Sequence, residues 1–181
     1  MSRLLITADV HGSYATWMTL KSLLKPDDIL AVAGDLFDTR YGRWNSPDFQ
    51  PNHIRDNLKE IKNKMYYVYG NCDEPSFYPD QFHGLEFQFM GLNIYLHHGH
   101  NGHTHLNDIL PRTNLIIQGH THLASLEKRQ HTFFLNPGSL TSPRNGLYTY
   151  AIVGNNKIQI INLKTETELI SLSYTNPCHY K

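Results

Sequence analysis

The chain repeatedly places Asp, His or Asn beside glycine at the point where a short apolar run ends. This pattern occurs at five places: Asp9-Val10-His11, Gly34-Asp35, Gly70-Asn71-Cys72-Asp73, His98-Gly99-His100 and Gly119-His120-Thr121-His122. A short apolar run bounded by glycine and polar residues is typical of a buried strand that ends in a loop. One such segment is weak evidence, because Asp and His also cap helices and bond in turns. Five in succession predict strands whose carboxyl ends carry the functional side chains.

The order of apolar runs predicts an α/β fold. In the first half, strands at 3–8, 28–33 and 65–69 alternate with helices at 14–24 and 52–62, which indicates parallel strands joined by helical crossovers. In open sheets of this kind, sites form at the carboxyl ends of strands. In the second half, strands follow one another with little helix between them, at 92–96, 115–118, 133–135, 148–153, 157–163 and 169–174. Residues 154–156 form the turn of a hairpin. We therefore expect two packed sheets with helices outside, an α/β/β/α sandwich.

Length and composition indicate one globular domain that spans residues 1–181. The chain is 40% hydrophobic and 18% charged, and no apolar stretch approaches the roughly 20 residues that cross a bilayer. The first residues lack the features of a secretory signal, which predicts a cytoplasmic protein. Cys72 and Cys178 are far apart in the sequence, so a disulfide framework is not expected.

Charge and histidine content narrow the class of ligand. The formal net charge is zero, and no basic run offers the footprint of a nucleic-acid binder, so neither long nucleic acid nor a membrane is a favoured partner.

Eight of the twelve histidines lie between His97 and His131. In a strand, residues two apart point to the same face, so Asp9 with His11, and His120 with His122, each address one site if the extended backbone continues into the loop.

Taken together and in this order, the five segments resemble those of the calcineurin-like metallophosphoesterases. The similarity is to the small bacterial and archaeal phosphodiesterase branch related to the Vps29 subunit of retromer. It covers nearly the whole chain and extends to Asn136-Pro137-Gly138-Ser139 and the following Ser142-Pro143-Arg144.

The resemblance implies two divalent metal ions. It assigns the first metal to Asp9, His11, Asp35 and His122, and the second to Asp35, Asn71, His98 and His120. Asp35 would bridge the two ions, because one carboxylate has two oxygens. Imidazole and oxygen ligands without thiolate favour Mn, Fe, Zn, Co or Ni over Ca or Mg, and the resemblance points to Mn. The implied reaction is hydrolysis of a small phosphate ester by a hydroxide formed from a water that bridges the metals.

Two features leave alternatives open. Gly102-His103-Thr104-His105 has the same letters as Gly119-His120-Thr121-His122, but only the second copy directly follows an apolar run, Leu115-Ile116-Ile117. We therefore assign the ligands to the second copy, and His103 and His105 to solvent or a substrate loop. The loop at 38–49, with Arg40, Tyr41, Arg43 and Trp44, suits either a wall of the substrate pocket or a surface or homo-oligomer contact.

Cys72 decides between ester classes. It stands where many members of the resembled family have a histidine that protonates the leaving group, and an ordinary thiol is a poorer acid at neutral pH. A phosphodiesterase is therefore expected rather than a phosphomonoesterase, and the complete ligand set argues against a non-catalytic, Vps29-like scaffold. The candidate catalytic residues are Asn71, which is also a metal ligand, Cys72, Asp73, which orients a neighbouring group, and His100, which contacts the phosphate.

Overall fold

The computed structural model describes residues 2–41, 46–100, 106–154 and 156–175. The second copy of the repeated motif, Gly119-His120-Thr121-His122, lies within these ranges. The first copy, Gly102-His103-Thr104-His105, lies outside them, as do Arg43, Trp44 and Cys178. None of the described helices is long and apolar enough to cross a membrane.

The first sheet contains six strands, with two helices packed on one of its faces. Three parallel strands, β1 (Leu4–Thr7), β2 (Ile29–Ala33) and β3 (Met65–Val68), alternate with helices α1 (Tyr14–Leu23) and α2 (Pro51–Leu58). Ser13 caps α1 by accepting a hydrogen bond from Thr16 N, and Pro51 begins α2 where no amide donor is needed. The helix-side core is formed by Leu5, Trp17, Leu20, Leu30, Val32, Ile54 and Tyr67.

The second sheet contains five strands. They lie in the order β4 (Gly84–Phe89), β5 (Leu92–His97), β6 (Leu115–Ile117), β8 (Thr132–Asn136) and β7 (Ser125–Arg129). The connection from β5 to β6 includes a short helix, α3 (Leu106–Ile109), and a 3₁₀ turn at Leu110–Arg112. Three further strands complete the first sheet, β9 (Thr149–Gly154), β10 (Lys157–Asn162) and β11 (Glu168–Ser173), so that its order is β11-β10-β9-β1-β2-β3.

The main apolar core lies between the two sheets. It joins β1, β2 and β9 of the first sheet to β5, β6 and β8 of the second through Leu4, Ile6, Ala31, Ile94, Leu96, Ile117, Leu135 and Val153. Every one of these side chains is at most 1% exposed, so the two sheets form one continuous sandwich. The predicted α/β/β/α sandwich is confirmed, with the longer helices on the first sheet.

Two strands were missed by the sequence analysis, β4 and β7. Both are edge strands of the second sheet, and β7 reads Ser-Leu-Glu-Lys-Arg with four of its five residues exposed. An edge strand as polar as β7 has no apolar run to reveal it, whereas β4 alternates apolar and polar residues and carried a strand signal that the sequence analysis left out. The predicted hairpin at 154–156 is confirmed, because Gly154 pairs with Lys157 in an antiparallel register.

The topology gathers the polar segments at one rim of the sandwich. β1, β2 and β3 run parallel in one sheet, and β5, β6 and β8 run parallel in the other. The carboxyl ends of strands from both sheets therefore carry the five segments into a common region, as the sequence predicted.

Candidate metal centre

The loops at this rim have left-handed backbone at most of the predicted ligands. Positive φ angles occur at Asp9 (55°), His11 (51°), Asp35 (51°), His120 (68°) and His122 (58°). The premise that extended geometry continues past the strands is therefore wrong. Asp, Asn and His tolerate this conformation better than other non-glycine residues, because their short polar groups bond locally. The chain turns sharply at each ligand, which lets neighbouring side chains converge.

The loops after β1 and β2 are joined to each other by backbone hydrogen bonds. Asp9 N donates to Gly34 O (3.0 Å), His11 N to Asp35 O (2.9 Å) and Gly12 N to Leu36 O (2.9 Å). The ladder of the parallel pair thus continues beyond the strands. It fixes the first two carboxylates of the centre relative to each other.

Gly119 is the point where the second sheet approaches the first. A side-chain carbon at this position would lie 2.6 Å from Ala33 O and 2.8 Å from Ala8 Cβ, closer than such contacts occur. Only glycine permits this approach. It allows the backbone amide of the next residue, His120, to donate to Asp9 Oδ2 at 3.0 Å.

Three imidazole nitrogens surround one carboxylate oxygen at the centre of the rim. Asp9 Oδ1 lies 3.3 Å from His122 Nε2, 3.9 Å from His11 Nε2 and 4.0 Å from His98 Nε2. The Nε2 atoms of His11 and His122 are 3.2 Å apart. Asp9 is 0% exposed, and among the described residues its Oδ1 accepts no well-formed hydrogen bond.

The opposite nitrogen of each ring is fixed by an acceptor. Nδ1 of His98 donates to Ala33 O at 2.7 Å, Nδ1 of His122 to Ser142 O at 2.7 Å, and Nδ1 of His11 to Asp38 Oδ2 at 3.1 Å. These partners place the proton on Nδ1 and leave the Nε2 lone pairs directed at the carboxylate oxygen. Lone pairs facing a carboxylate repel unless a proton or a cation lies between them. A divalent metal therefore fits this arrangement of donors.

Asp35, Asn71 and His98 form the adjoining part of the centre. His98 Nε2 is 3.2 Å from Asp35 Oδ2 and 3.2 Å from Asn71 Oδ1. Burial alone would raise the pKa of Asp35, but His98 outweighs it and lowers the pKa to about 2. Burial likewise disfavours the charged imidazole, yet Asp35 and Asp9 together raise the pKa of His98. Asp35 and Asp9 thus favour positive charge at His98 Nε2, and a bound metal would supply that charge in place of a proton.

Among the described residues, three groups of side chains can each hold an ion, and two of them contain Asp9. One of these two consists of Asp9, His11 and His122 and the other of Asp9, Asp35 and His98, whereas the third consists of His11, Asp38 and Cys72. Asp9 is common to the first two groups, whereas Asp35 was predicted to bridge. Asp35 Oδ1 accepts a hydrogen bond from Cys72 N at 2.7 Å and only its Oδ2 faces His98. The bridging role of Asp35 stays a prediction.

His120 lies beside these groups without belonging to any of them. Its ring centre is 5.1 Å from that of His98 and 6.4 Å from that of His100. Its imidazole thus borders the second group, where the resemblance assigns it. His103 and His105 lie outside the described residues, so the choice between the two copies of the motif stays a prediction.

Cys72 and Asp73 occupy different environments. Burial, together with Asp35 and Asp38, raises the pKa of the Cys72 thiol well above its ordinary range, which makes it a still weaker acid. Asp73 is buried and accepts hydrogen bonds from the backbone amides of Leu36, Phe37, Asp38 and Gly70. Asp73 thus fixes the loop after Asp35 to the Gly70–Asn71 turn, and its role in orienting a metal ligand stays a prediction.

The sequence analysis missed three supporting residues. Asp38, 4% exposed, holds His11 as described above. Asn136 donates through Nδ2 to Gly119 O (2.8 Å) and to Thr121 Oγ1 (2.9 Å), and Ser139 Oγ donates to Asp9 O (2.7 Å). Asn136 and Ser139 belong to a segment that the resemblance had included, so their supporting role could have been predicted from the sequence. Asp38 carried no separate signal.

The structure describes only part of the loop at 38–49. Arg40 Nε lies 3.5 Å from Glu74 Oε2, and Tyr41 is 51% exposed. Its other two candidate residues, Arg43 and Trp44, are not among the described residues.

The fold and the residues of this centre can be compared with those of known protein families. The family model of the calcineurin-like phosphoesterase superfamily domain matches residues 2–157, so the chain belongs to that family. In an alignment 191 positions long, the chain is 28% identical to the phosphodiesterase YfcE of Escherichia coli K12. The alignment covers 98% of this chain and all of the relative. Family membership supports hydrolysis of phosphate esters as the class of reaction.

Solved structures agree with this assignment. The structure of YfcE, described as a phosphoesterase from E. coli, superposes with a TM-score of 0.80 at 25% identity and covers 96% of this chain and 100% of its own. Vps29 of Entamoeba histolytica, solved in complex with zinc, shares the fold with a TM-score of 0.67 at 20% identity, covering 96% of this chain and 99% of its own.

Proposed function

We propose that this protein is a phosphodiesterase that requires two divalent metal ions, most effectively Mn, and acts on a small phosphodiester. The observation that carries the proposal is the convergence of His11, His98 and His122 on the buried Asp9 Oδ1, each with its Nε2 within 4.0 Å of that oxygen. This arrangement is electrostatically unfavourable without a cation and favourable with one.

Divalent cations held by these residues would supply charge neutralisation at the phosphate oxygens and activation of a water for hydrolysis. The residues of this chain hold and orient the reactants. Asp9, His11, Asp35, His98 and His122 provide ligands, and Asp38, Ala33 and Ser142 keep the imidazoles in the required tautomer. Asn71 presents its Oδ1 beside His98.

Cys72 supports a preference for diesters. A diester carries one negative charge on phosphorus, so two cations nearly neutralise its transition state without further donors. A monoester adds a second charge that favours an additional donor. The Cys72 thiol lies among Asp35, Asp38 and Asp73, and it is too weak an acid to provide a charged one.

The direct test is activity of the purified protein loaded with Mn, measured on bis(p-nitrophenyl) phosphate and on p-nitrophenyl phosphate. We expect a higher kcat/KM for the diester, loss of activity with a chelator, and recovery when Mn is restored. Equal activity on both esters, or activity that survives chelation, would contradict the proposal.

A paired substitution tests the choice of histidines. Replacing both His120 and His122 by alanine should abolish activity, because His122 faces Asp9 and His120 borders His98. The same change at His103 and His105 should leave metal content intact. The reverse result would assign the ligands to the other copy of the motif.

A further inference from the structure

A row of imidazole rings leads from the centre to the protein surface. The buried His98 is followed by the half-buried His100, with ring centres 5.4 Å apart, and then by the exposed His83, whose ring centre is 6.3 Å from that of His100. His83 lies just before β4 and belongs to none of the five polar segments. Sequence alone gave it no role.

The position of His83 is fixed by the end of β3. Tyr69 N donates to Phe82 O at 2.8 Å, and Tyr69 Oη donates to Tyr78 O (2.7 Å) and accepts from Gln81 N (3.2 Å). The ring of Tyr69 is also 5.5 Å from that of His83. The segment before β4 is therefore attached to the residue that directly precedes Gly70-Asn71, and His83 is held at the edge of the centre.

The outer end of the row offers exposed aromatic surface. One part of the His83 ring faces Tyr69 and His100, and the rest is open to solvent. Nδ1 of His100 is buried and has no protein hydrogen-bond partner in the part of the chain that the structure describes. Aromatic rings pack favourably at centre-to-centre distances of about 4.5–7 Å, and the contacts within the row show that this spacing is already in use.

We propose that His83 and His100 form a subsite for the organic group of the substrate, and that this group is aromatic, an aryl ring or a nucleobase. The proposal rests on the function proposed above, because it places the phosphate at the Asp9 centre. The aromatic group then packs on the open side of His83, while His100 lies between that group and the ligand His98.

The test uses two phosphonates that cannot be hydrolysed and that differ in one group. Binding of phenylphosphonate and of methylphosphonate to the Mn-loaded full chain is measured by calorimetry for wild type, His83→Ala and His83→Phe. We expect His83→Ala to weaken phenylphosphonate binding by about two- to tenfold and to leave methylphosphonate binding unchanged. His83→Phe should retain the preference for the phenyl compound.

His131→Ala is the matched control, because His131 is an exposed histidine in the turn between β7 and β8, at the end of β8 away from Asn136. It should change neither affinity. An unchanged affinity of His83→Ala for phenylphosphonate would overturn the subsite. An equal loss for both phosphonates, or a loss of metal, would also overturn it, because His83 would then act through the metal centre. A wild-type protein that binds neither phosphonate would refute the phosphate site itself, and the subsite with it.

Discussion

Replacing Asp35 by asparagine removes one negative charge from the centre while keeping its shape. Asparagine tolerates the left-handed backbone at this position, where φ is 51°, and its side-chain oxygen can still accept the hydrogen bond from Cys72 N. What is lost is the charge that faces His98 Nε2 at 3.2 Å. The substitution therefore tests electrostatics with little change in packing.

The size of the effect follows from the charge. Two unit charges about 4 Å apart interact by about 4 kcal/mol at the effective dielectric of a protein surface, which is about a thousandfold in an equilibrium constant. We expect Asp35→Asn to weaken metal binding, and with it activity, by at least about a hundredfold. In the metal-free protein the pKa of His98 should fall, because Asp35 no longer stabilises the charged ring.

Metal analysis of the purified variant, kcat/KM with Mn, and titration of His98 by NMR measure the three effects. Asp56→Asn is the control, since Asp56 is an exposed carboxylate on α2 whose partner is Lys59. The reasoning is refuted if Asp35→Asn retains two metals per chain and turns over like wild type.

Three further predictions concern neighbouring groups. Cys72→His should raise kcat/KM for monoesters and for esters with poor leaving groups relative to activated diesters, by about a hundred- to ten-thousandfold for a well-placed acid. An equal change in kcat/KM for all substrates would exclude this role. Asp38→Ala should weaken metal binding about ten- to a hundredfold, because His11 loses the acceptor at Nδ1, and metal titration would detect it. In the metal-free protein, the stability that comes from Asp35 should be fully present above its ordinary pKa of 3.8 and lost as the pH falls through about 2, an effect of about 2 kcal/mol. Urea unfolding between these pH values measures this loss, which should be absent in Asp35→Asn.

The strands and the gathering of polar segments could be predicted because both leave local signals. Apolar runs mark buried strands such as β1 and β6, and parallel strands bring their carboxyl ends to one rim. The edge strand β7 left no such signal, since an edge needs no apolar run on either face.

The geometry of the centre depended on features that residue types do not encode. The sequence pairs Asp9 with His11 two residues apart, but left-handed turns, not an extended strand, bring these side chains together. The contact of His11 with Asp38 joins positions 27 residues apart, and that of His83 with His100 depends on how the segment before β4 attaches to Tyr69. Contacts of this kind are set by tertiary packing, so neither Asp38 nor His83 stood in a recognisable motif.

The left-handed backbone at the ligands also limits how this centre can change during evolution. Val, Ile or Thr at Asp9, Asp35 or His122 would meet a steric penalty on the order of 1 kcal/mol or more from the main chain alone, apart from any lost ligand. Asn, Gly and Asp avoid most of that penalty. A descendant that abandons metal binding on this scaffold should therefore exchange ligands within this small set, and its loops should retain their shape after the chemistry is gone.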